Sequence, residues 1–535
     1  MHPAADLPRA LDRRAALALL LLLVVAAAVR VVAWQRTAVL FNDGPIFLAM
    51  AEAIGEGRWD AVRAHPFHPL YPALVALSSP VFDSLEAAAV SVSILGGLLM
   101  VVGVFAFARA AFDSTVAWLS AWTVALHPWA VDFSSDVMSD GLYGGLFLVG
   151  VALVFRLLQR PTPRLGIAVG LVTGLAYLVR PEGIGLMGVA LVLLIARGLR
   201  EPGCLRRARA SAVALGLTTA IVMSPLLVPL VYETGELRLT RKKSVAGLAS
   251  GESGLRLAAP ATNARLEGQS LAPIPLPRSA ERVGGSGARR PERSLRGVAE
   301  AFSRAVRTSL ASLRYEVAIF AGLGLWTLRR RWRWERESLV LLLALLYTSV
   351  LILLVWGAGY VARRHALAAL LPLVAYAALG WRAGHGWLVG RLLGGVPERV
   401  ERGNATRAVC LGLALVLCLV WGGRDLRERR AGRVAVRAAA EWLAEQDLEG
   451  GVAAQKLRIA YYAQAPFVPL PSGRDASLES ALRAAGARWV VIDEGRFDDH
   501  EGLAEGLGDW LRPIHRVEGE ERTAVVLAVQ PEPAH

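Results

Sequence analysis

Charged residues are scarce in this chain of 535 residues. Asp, Glu, Lys and Arg make up 19% of it, whereas hydrophobic residues make up 54%. Its mean hydropathy of +0.43 is too high for a soluble protein of this length. Cysteine is also rare: Cys204, Cys410 and Cys418 have no paired spacing, which argues against a disulfide framework or a cysteine-ligated metal. These deficits indicate a polytopic membrane protein.

Two further features are missing. No glycine-rich nucleotide fingerprint occurs in the C-terminal tail, and the two halves of the chain show no internal repeat of the kind that transporters often have. The net charge of +14 suggests nucleic acid at first. Most of the excess arginine, however, lies in short connectors between apolar runs, where membrane topology and anionic lipid explain it better.

Apolar runs of about 20 residues, long enough to cross a bilayer, recur from Leu17 to Trp421. We count about eleven of them by this criterion, among them residues 115–132 and, as the last, residues 407–422. The first run follows "RALDRR", so a cleaved signal peptide is an alternative. An uncleaved helix is favoured, because hydrophobicity resumes beyond Arg30 and many spans follow.

Basic connectors predict the orientation, since loops rich in Lys and Arg tend to stay in the cytoplasm. With the N-terminus inside, the connectors assigned to the inside are all basic, among them "RLLQRPTPR" and "RRRWRWERE". Arg180 in "RPEG" and Arg363 and Arg364 in "GAGYVARRHA" are exceptions on the outer side. Such exceptions indicate an anionic ligand or a carboxylate partner, with interfacial snorkelling as the alternative.

Two outer loops interrupt the spans. Residues 35–86 contain a helical pattern in "DGPIFLAMAEAI" and a short apolar stretch, "HPLYPALVALSSPVF", predicted to lie at the interface. A full span there would invert everything downstream. Residues 233–312 form a long basic loop that ends in an amphipathic helix, "SLRGVAEAFSRAVRTSLASL".

The C-terminal tail has a different sequence pattern from the rest of the chain. After about residue 423 the pattern predicts a small α/β domain, with helices in "RVAVRAAAEWLAEQ" and "SLESALRAAG" and strands in "GGVAAQK", "ARWVVIDEG" and "TAVVLAVQ". The predicted division is therefore a mainly α membrane domain, residues 1–423, and an extracytoplasmic α/β domain, residues 424–535. Asp493 and Glu494 are ordinary loop carboxylates in this interpretation.

Carboxylates near lipid are costly and need a partner or a function. Asp43 stands where an N-cap would stand, so capping is one explanation for it. In the predicted topology, however, Asp43 follows the first span and Asp140 begins the fourth, so both face the compartment that Arg180 faces. Carboxylates beside arginines suit a reaction that deprotonates an acceptor hydroxyl while a phosphate leaves.

Four motifs, in order, carry a family resemblance: "NDGPIFLAMAEAIGEGRW" with "HPFHPLYPALVAL", then "SSDVMSDGLYGGLFLVGVAL", "GLAYLVRPEGIGL" and "ARRHALAALLPLVAYAALG". Together they resemble the GT-C superfamily of polyprenyl-phosphate-sugar-dependent glycosyltransferases over residues 15–420. The branch most similar includes protein O-mannosyltransferases, aminoarabinose transferases and lipopolysaccharide-core transferases of rhizobial type.

The resemblance implies inverting transfer from an undecaprenyl-phosphate-linked sugar on the periplasmic side of the inner membrane. Asp43 matches the catalytic carboxylate of the family, and Asp140 the second acidic residue, with Asp136 as the less probable match. Arg180 and Arg364 correspond to the basic residues near the lipid phosphate. This chain has His365 where many relatives have Tyr.

The remaining candidates are assigned by position. Arg363 joins the donor-binding set, and His68, Tyr71, Asp136 and Glu182 are predicted substrate contacts, with packing as the alternative for the first two.

No cofactor is expected, and no metal either, because "HPFHP" offers His65 and His68 without further ligands of known position. A flippase for lipid-linked saccharides and a metal-dependent oligosaccharyltransferase remain the alternatives. The sugar and the acceptor, whether lipid, polysaccharide or protein, stay open.

Overall fold

The computed structural model describes residues 12–236, 238–241, 291, 294–392, 408, 412, 415–416, 418–425, 427–446, 449–470, 477–493, 509–520 and 522–531. Its contacts divide the chain into two compact units. The first comprises residues 1–34, 50–255 and 289–427, and the second comprises residues 35–49, 256–288 and 428–535. The second unit thus combines most of the tail with a stretch that directly follows the first long helix.

The first unit is helical, and its helices match the apolar runs of the sequence. Two helices are divided between the units: the last residue of the helix at 13–35 belongs to the second unit, and the helix at 44–55 begins in the second unit and ends in the first. In chain order they are α1 (Arg13–Gln35), α2 (Gly44–Gly55), α3 (Trp59–Ala64), α4 (Leu70–Ser78), α5 (Leu85–Ala111), α6 (Ser114–Ala125), α7 (Pro128–Asp132), α8 (Asp140–Gln159), α9 (Pro163–Val179), α10 (Ile184–Arg200), α11 (Leu205–Thr234), α12 (Leu295–Leu313), α13 (Tyr315–Leu328), α14 (Trp334–Ala358), α15 (Arg363–Leu370) and α16 (Val374–Leu392).

Close packing of α5 against α8 forms the centre of this unit. A methyl group added at Gly96 would lie 2.3 Å from the backbone nitrogen of Leu142, and one at Gly145 would lie 2.4 Å from the carbonyl oxygen of Gly96. Only glycine lets two helix backbones come this close, as small residues do at membrane-helix interfaces. This approach fixes the N-terminal end of α8, where Asp140 lies.

The helices confirm a multi-pass membrane protein. Seven described helical stretches, some of which join a helix to a short 3-10 turn or to the next helix, are at least 18 residues long and apolar enough to cross a bilayer, and four further apolar stretches have 10–17 residues. The predicted span at 115–132 is instead broken: α6 ends at Ala125, and Pro128 begins α7. Pro128 stands at the first position of α7, where its missing amide hydrogen costs no helical hydrogen bond, and this explains the new helix start.

The two predictions made for the remaining loops have different outcomes. The amphipathic helix is confirmed as α12, and the side chain of its N-cap residue, Ser294, accepts a hydrogen bond from the Gly297 amide. Residues 242–290 of the predicted basic loop lie outside the described residues, as do residues 407, 409–411, 413–414 and 417 of the predicted last span at 407–422.

The second unit contains a five-stranded sheet in the order β2-β1-β3-β5-β4. The strands β1, β2 and β3 are parallel, and β5 pairs antiparallel with both β3 and β4. Three helices accompany the sheet. The elements are α17 (Val434–Glu445), β1 (Gly451–Ala454), α18 (Leu457–Tyr462), β2 (Phe467–Pro469), α19 (Ser477–Ala484), β3 (Ala487–Asp493), β4 (Leu511–Glu518) and β5 (Thr523–Val529).

The predicted α/β character of the tail is confirmed, including both predicted helices and all three predicted strands. Two strands were missed. The strand β2 has only three residues, and β4 is mostly exposed, so neither has the buried apolar pattern that marks a strand in sequence. The inclusion of residues 35–49 in this unit was not foreseen either.

Candidate functional site

A buried ion pair joins Asp140 and Arg180 in the first unit. Asp140 is the first residue of α8, and Arg180 follows the last residue of α9, so both lie at the same end of two adjacent helices. The Nη1 atom of Arg180 lies 2.5 Å from Oδ1 of Asp140, and its Nη2 atom lies 3.4 Å from Oε1 of Glu182. Exposure is only 7% for Asp140 and 9% for Arg180. The structure thus brings three predicted site residues together.

The charge of Arg180 is maintained by its neighbours. Burial disfavours the charged guanidinium, but the carboxylates of Asp140 and Glu182 outweigh this effect and raise the pKa of Arg180 above its ordinary value. Two tyrosines complete the surroundings. The Tyr347 hydroxyl donates to the Glu182 carbonyl at 2.5 Å, and the Tyr143 hydroxyl donates to Tyr347 at 3.2 Å. The group is therefore a connected polar network at one end of the helices.

His68 lies near this network but has a different partner. Its Nδ1 atom is 2.5 Å from the carbonyl oxygen of Tyr177, and the two rings meet edge to face with centroids 4.9 Å apart. His68 also lines a small pocket with Arg63 and Arg241. The imidazole ring of a histidine can donate or accept a hydrogen bond, as a substrate contact requires. The role of His68 in substrate binding stays a prediction.

Tyr71 and Asp136 are buried and have local partners. The Tyr71 hydroxyl donates to the Ala89 carbonyl at 3.0 Å and contacts the Ser93 hydroxyl at 2.9 Å, which connects α4 to α5. The Asp136 carboxylate accepts the amide of Val137 at 2.7 Å in the turn before α8. These contacts suit packing and turn formation, and a role of either residue in substrate binding stays a prediction.

Arg363 belongs to a separate group. Its guanidinium carbon lies 4.3 Å from the centroid of the Trp129 ring, and that of Arg424 lies 4.4 Å from the same ring. Arg364 is half-buried at the start of α15. The sequence analysis placed Arg363 in the donor-binding set together with Arg180. The aromatic contact of its side chain, however, is with Trp129 of α7. Neither Trp129 nor Arg424 was predicted as a site residue.

Asp43 lies in the second unit, immediately before α2. Its backbone carbonyl accepts the Phe47 amide at 3.2 Å, so it occupies the capping position that the sequence indicated. Its side chain is half-buried.

The extended segment before Asp43, residues 36–41, is held by the C-terminal part of the second unit. Three successive carbonyl groups each accept one guanidinium hydrogen bond. The Ala38 carbonyl accepts from Arg437 at 2.8 Å, the Val39 carbonyl from Arg430 at 2.6 Å and the Leu40 carbonyl from Arg458 at 3.1 Å.

Further bonds complete this attachment. The Leu40 amide donates to the Tyr462 hydroxyl at 2.8 Å. The Ala38 amide donates to the Arg429 carbonyl at 3.0 Å, and the Arg429 amide donates to the Arg36 carbonyl at 2.8 Å. We call Arg430, Arg437, Arg458 and Tyr462 the backbone clamp. Sequence reasoning missed it because Arg458 and Leu40 are 418 positions apart and no local pattern connects them.

Comparisons with known proteins agree with this architecture. The family model described as dolichyl-phosphate-mannose-protein mannosyltransferase matches residues 64–228. No curated protein matches the chain significantly. The matched stretch contains Asp136, Asp140 and Arg180, but not Asp43 or the tail.

Solved structures share the fold over nearly the whole chain. ArnT from Cupriavidus metallidurans, in the structure bound to undecaprenyl phosphate, is 14% identical with a TM-score of 0.57, covering 95% of this chain and 97% of that one. The apo ArnT structure gives a TM-score of 0.56 at 14% identity, with 96% and 98% covered. The Archaeoglobus fulgidus oligosaccharyltransferase in complex with Zn and sulfate gives 0.54 at 12%, with 88% and 68% covered.

The class of protein is therefore defined. The chain is a multi-pass membrane protein with the GT-C fold that ArnT has, and the family resemblance noted in its sequence is confirmed. Within the described part of the chain, no group of three His, Cys, Asp or Glu residues could hold a metal ion. Metal independence nevertheless stays a prediction.

Proposed function

We propose that this protein transfers a sugar from a polyprenyl-phosphate-linked donor to an acceptor hydroxyl, with inversion at the sugar and without a metal. The observation that carries the proposal is the buried Asp140–Arg180 pair at the helix ends of a GT-C fold. A related fold has been solved with undecaprenyl phosphate bound, which supports the donor class. The proposed site faces the outside of the inner membrane, with the N-terminus in the cytoplasm.

The proposed reaction needs a base and a stabilised leaving group. Asp43 takes the proton of the acceptor hydroxyl, whose oxygen attacks the anomeric carbon of the sugar. The bond between that carbon and the phosphate oxygen breaks, and polyprenyl phosphate leaves. A charged guanidinium stabilises the negative charge that develops on the phosphate. We assign that role to Arg180, with Arg363 and Arg364 as further donor-binding residues.

Asp140 has two proposed tasks. It holds the Arg180 guanidinium in one orientation through the 2.5 Å contact, and it orients the acceptor. Preorganised charge is effective because it needs no rearrangement when the reaction occurs. Asp136 is the alternative second acidic residue, and His68, Tyr71 and Glu182 are proposed substrate contacts.

Reconstitution of the purified full chain in vesicles tests the function. With an undecaprenyl-phosphate-linked sugar labelled in the sugar, we expect the label to appear on an acceptor fraction from bacterial envelope and undecaprenyl phosphate to accumulate in equal amount. A chelator should leave the rate unchanged. Label that stays on the lipid but crosses the vesicle bilayer would contradict the proposal and indicate a flippase.

The backbone clamp predicts an effect of a distant tyrosine on turnover. Replacing Tyr462 by Phe leaves the Leu40 amide without its partner, and we expect kcat to fall about tenfold with KM nearly unchanged, because Asp43 is displaced rather than the donor site. Steady-state transfer assays measure both constants. Tyr461→Phe is the matched control, since this neighbouring tyrosine is 37% exposed. A rise in KM alone, or equal effects of both variants, would contradict a positioning role.

A further inference from the structure

A small pocket in the second unit lies where the parallel strands β1 and β3 end. The strand β1 ends at Ala454, directly before Gln455 and Lys456, and β3 ends at Asp493. Ala454 pairs with Val491, so the two strands end beside each other. Among the described residues, six charged or amide side chains line this pocket: Arg433, Arg437, Gln455, Lys456, Arg458 and Asp493. We call it the strand-end pocket.

The topology of the sheet favours ligand binding at this position. Val452 and Ala454 of β1 pack in the core that contains α17 and α18, whereas Ala453 packs in the core that contains α19. The chain therefore leaves β1 through a helix on one face of the sheet and reaches β3 from a helix on the other face, although β1 and β3 are neighbours. In open α/β sheets, ligands bind outside the carboxyl ends of the strands at such a switch point.

The strand-end pocket carries an excess of positive charge. Its described lining has four cationic side chains and one carboxylate, that of Asp493. The Nη1 atom of Arg522 lies 3.5 Å from Oδ2 of Asp493, and the Glu441 carboxylate on α17 accepts from Nε of Arg437 at 2.7 Å. Both carboxylates thus have an arginine partner. The remaining cations give the pocket a positive potential, which attracts an anionic ligand.

Two of the cations are held in place before any ligand binds. Arg458 is only 5% exposed, and its Nη1 atom donates to the Leu40 carbonyl at 3.1 Å. Arg437 donates to the Ala38 carbonyl at 2.8 Å and to Glu441. A guanidinium carries five N–H donors, so an arginine that binds a backbone carbonyl can also donate to a ligand. Side chains that are already ordered lose little conformational entropy on binding.

The other polar side chains of the pocket indicate the uncharged part of the ligand. The Gln455 amide can donate and accept hydrogen bonds, and the Asp493 carboxylate accepts them. A bare anion is repelled by the Asp493 carboxylate, whereas a hydroxyl can donate to it. A sugar ring presents several hydroxyls at once. The lining therefore fits a ligand that carries hydroxyls next to an anionic group.

We propose that the strand-end pocket binds an anionic saccharide. Its phosphate or carboxylate group contacts the arginine and lysine side chains, and its hydroxyls contact Gln455 and Asp493. Phosphate and carboxylate share the chemistry that a guanidinium recognises, since both accept paired hydrogen bonds from it. The pocket binds this ligand whether or not the chain transfers sugar, so the proposal does not rest on the proposed function.

Titration of the purified full chain in nanodiscs tests the pocket. Isothermal titration calorimetry should compare glucose 6-phosphate, glucuronate, glucose and inorganic phosphate. We expect one of the two anionic sugars to bind at least about tenfold more tightly than glucose and inorganic phosphate, because only an anionic sugar uses both kinds of contact. Preference for glucose 6-phosphate identifies phosphate as the anionic group, and preference for glucuronate identifies carboxylate; either supports the proposal.

The double variant Arg433→Gln with Lys456→Gln removes two cations and keeps all four residues of the backbone clamp. We expect its affinity for the preferred anionic sugar to fall at least about tenfold. Lys456→Gln alone should show a smaller loss in the same direction, and it serves if the double variant does not fold. Arg512→Gln is the matched control, because Arg512 is exposed on β4, which β3 and β5 separate from β1.

The control should bind each probe as the wild type does. Four results would overturn the proposal: no binding of either anionic sugar, equal affinity for inorganic phosphate, unchanged affinity in the variants of the pocket, or the same loss in Arg512→Gln. A chain that binds the anionic sugar as expected but transfers no sugar from a polyprenyl-phosphate-linked donor would contradict the proposed function alone.

Discussion

Replacing Asp43 by Asn is expected to lower the rate of sugar transfer about 10³-fold while the protein stays folded. The proposed base loses its ability to take a proton, and general base catalysis typically contributes 10²- to 10⁴-fold, roughly. Asparagine caps a helix as well as aspartate does, so α2 should keep its start after Asp43. The experiment therefore separates the two explanations for this residue, a helix cap and a catalytic base.

Initial rates with a polyprenyl-phosphate-linked donor provide the measurement, together with the thermal unfolding midpoint of each variant. Glu52→Gln is the matched control, because Glu52 is an exposed carboxylate on the same helix, α2. We expect this control to transfer sugar at the wild-type rate. If Asp43→Asn also does so, Asp43 is only a cap, and the base must be sought elsewhere.

Much of the fold was predictable because lipid imposes simple rules on sequence. A spanning helix needs about 20 apolar residues, and most predicted spans agree with a helix of the structure. The break after Ala125 was readable in principle from Pro128, yet the apolar run continues through it. In the tail, strands with a buried apolar run were found, whereas the exposed strand β4 was not.

Site residues were predictable where a charged side chain lies in apolar surroundings. Asp140 and Arg180 were selected because carboxylates near lipid and arginines on the outer side need partners, and the structure joins them directly. Arg363 satisfied the same criterion but has an aromatic partner instead. Charge patterning identifies residues that need a partner, but it does not identify the partner.

The backbone clamp was beyond sequence reasoning for a different reason. Its arginines bind backbone carbonyl groups of residues 38–40. Every residue has such a carbonyl group, so the sequence does not show which ones accept a hydrogen bond. The consequence for function is that a domain without any catalytic motif fixes the segment before Asp43. This gives the C-terminal domain a structural reason to be present in the enzyme we propose.

Arg180→Gln is the second substitution with a large expected effect, here on stability. It leaves the carboxylate of Asp140 buried without its cation, and breaking a buried ion pair from one side costs about 3–5 kcal/mol. We expect a lower unfolding midpoint in detergent and loss of sugar transfer.

A double-mutant cycle assigns this effect to the pair. Adding Asp140→Asn to Arg180→Gln removes the uncompensated charge, so stability should recover in part, whereas sugar transfer should not. Arg58→Gln is the control, since Arg58 pairs with Glu56 at the surface, with 43% and 45% of the side chains exposed, and such pairs contribute about 0–1 kcal/mol. Additive losses in the double variant would show that the two residues act independently. Recovery of stability without recovery of transfer would mean that the buried charges are kept at these helix ends for the chemistry, because an uncharged pair would serve the fold equally well.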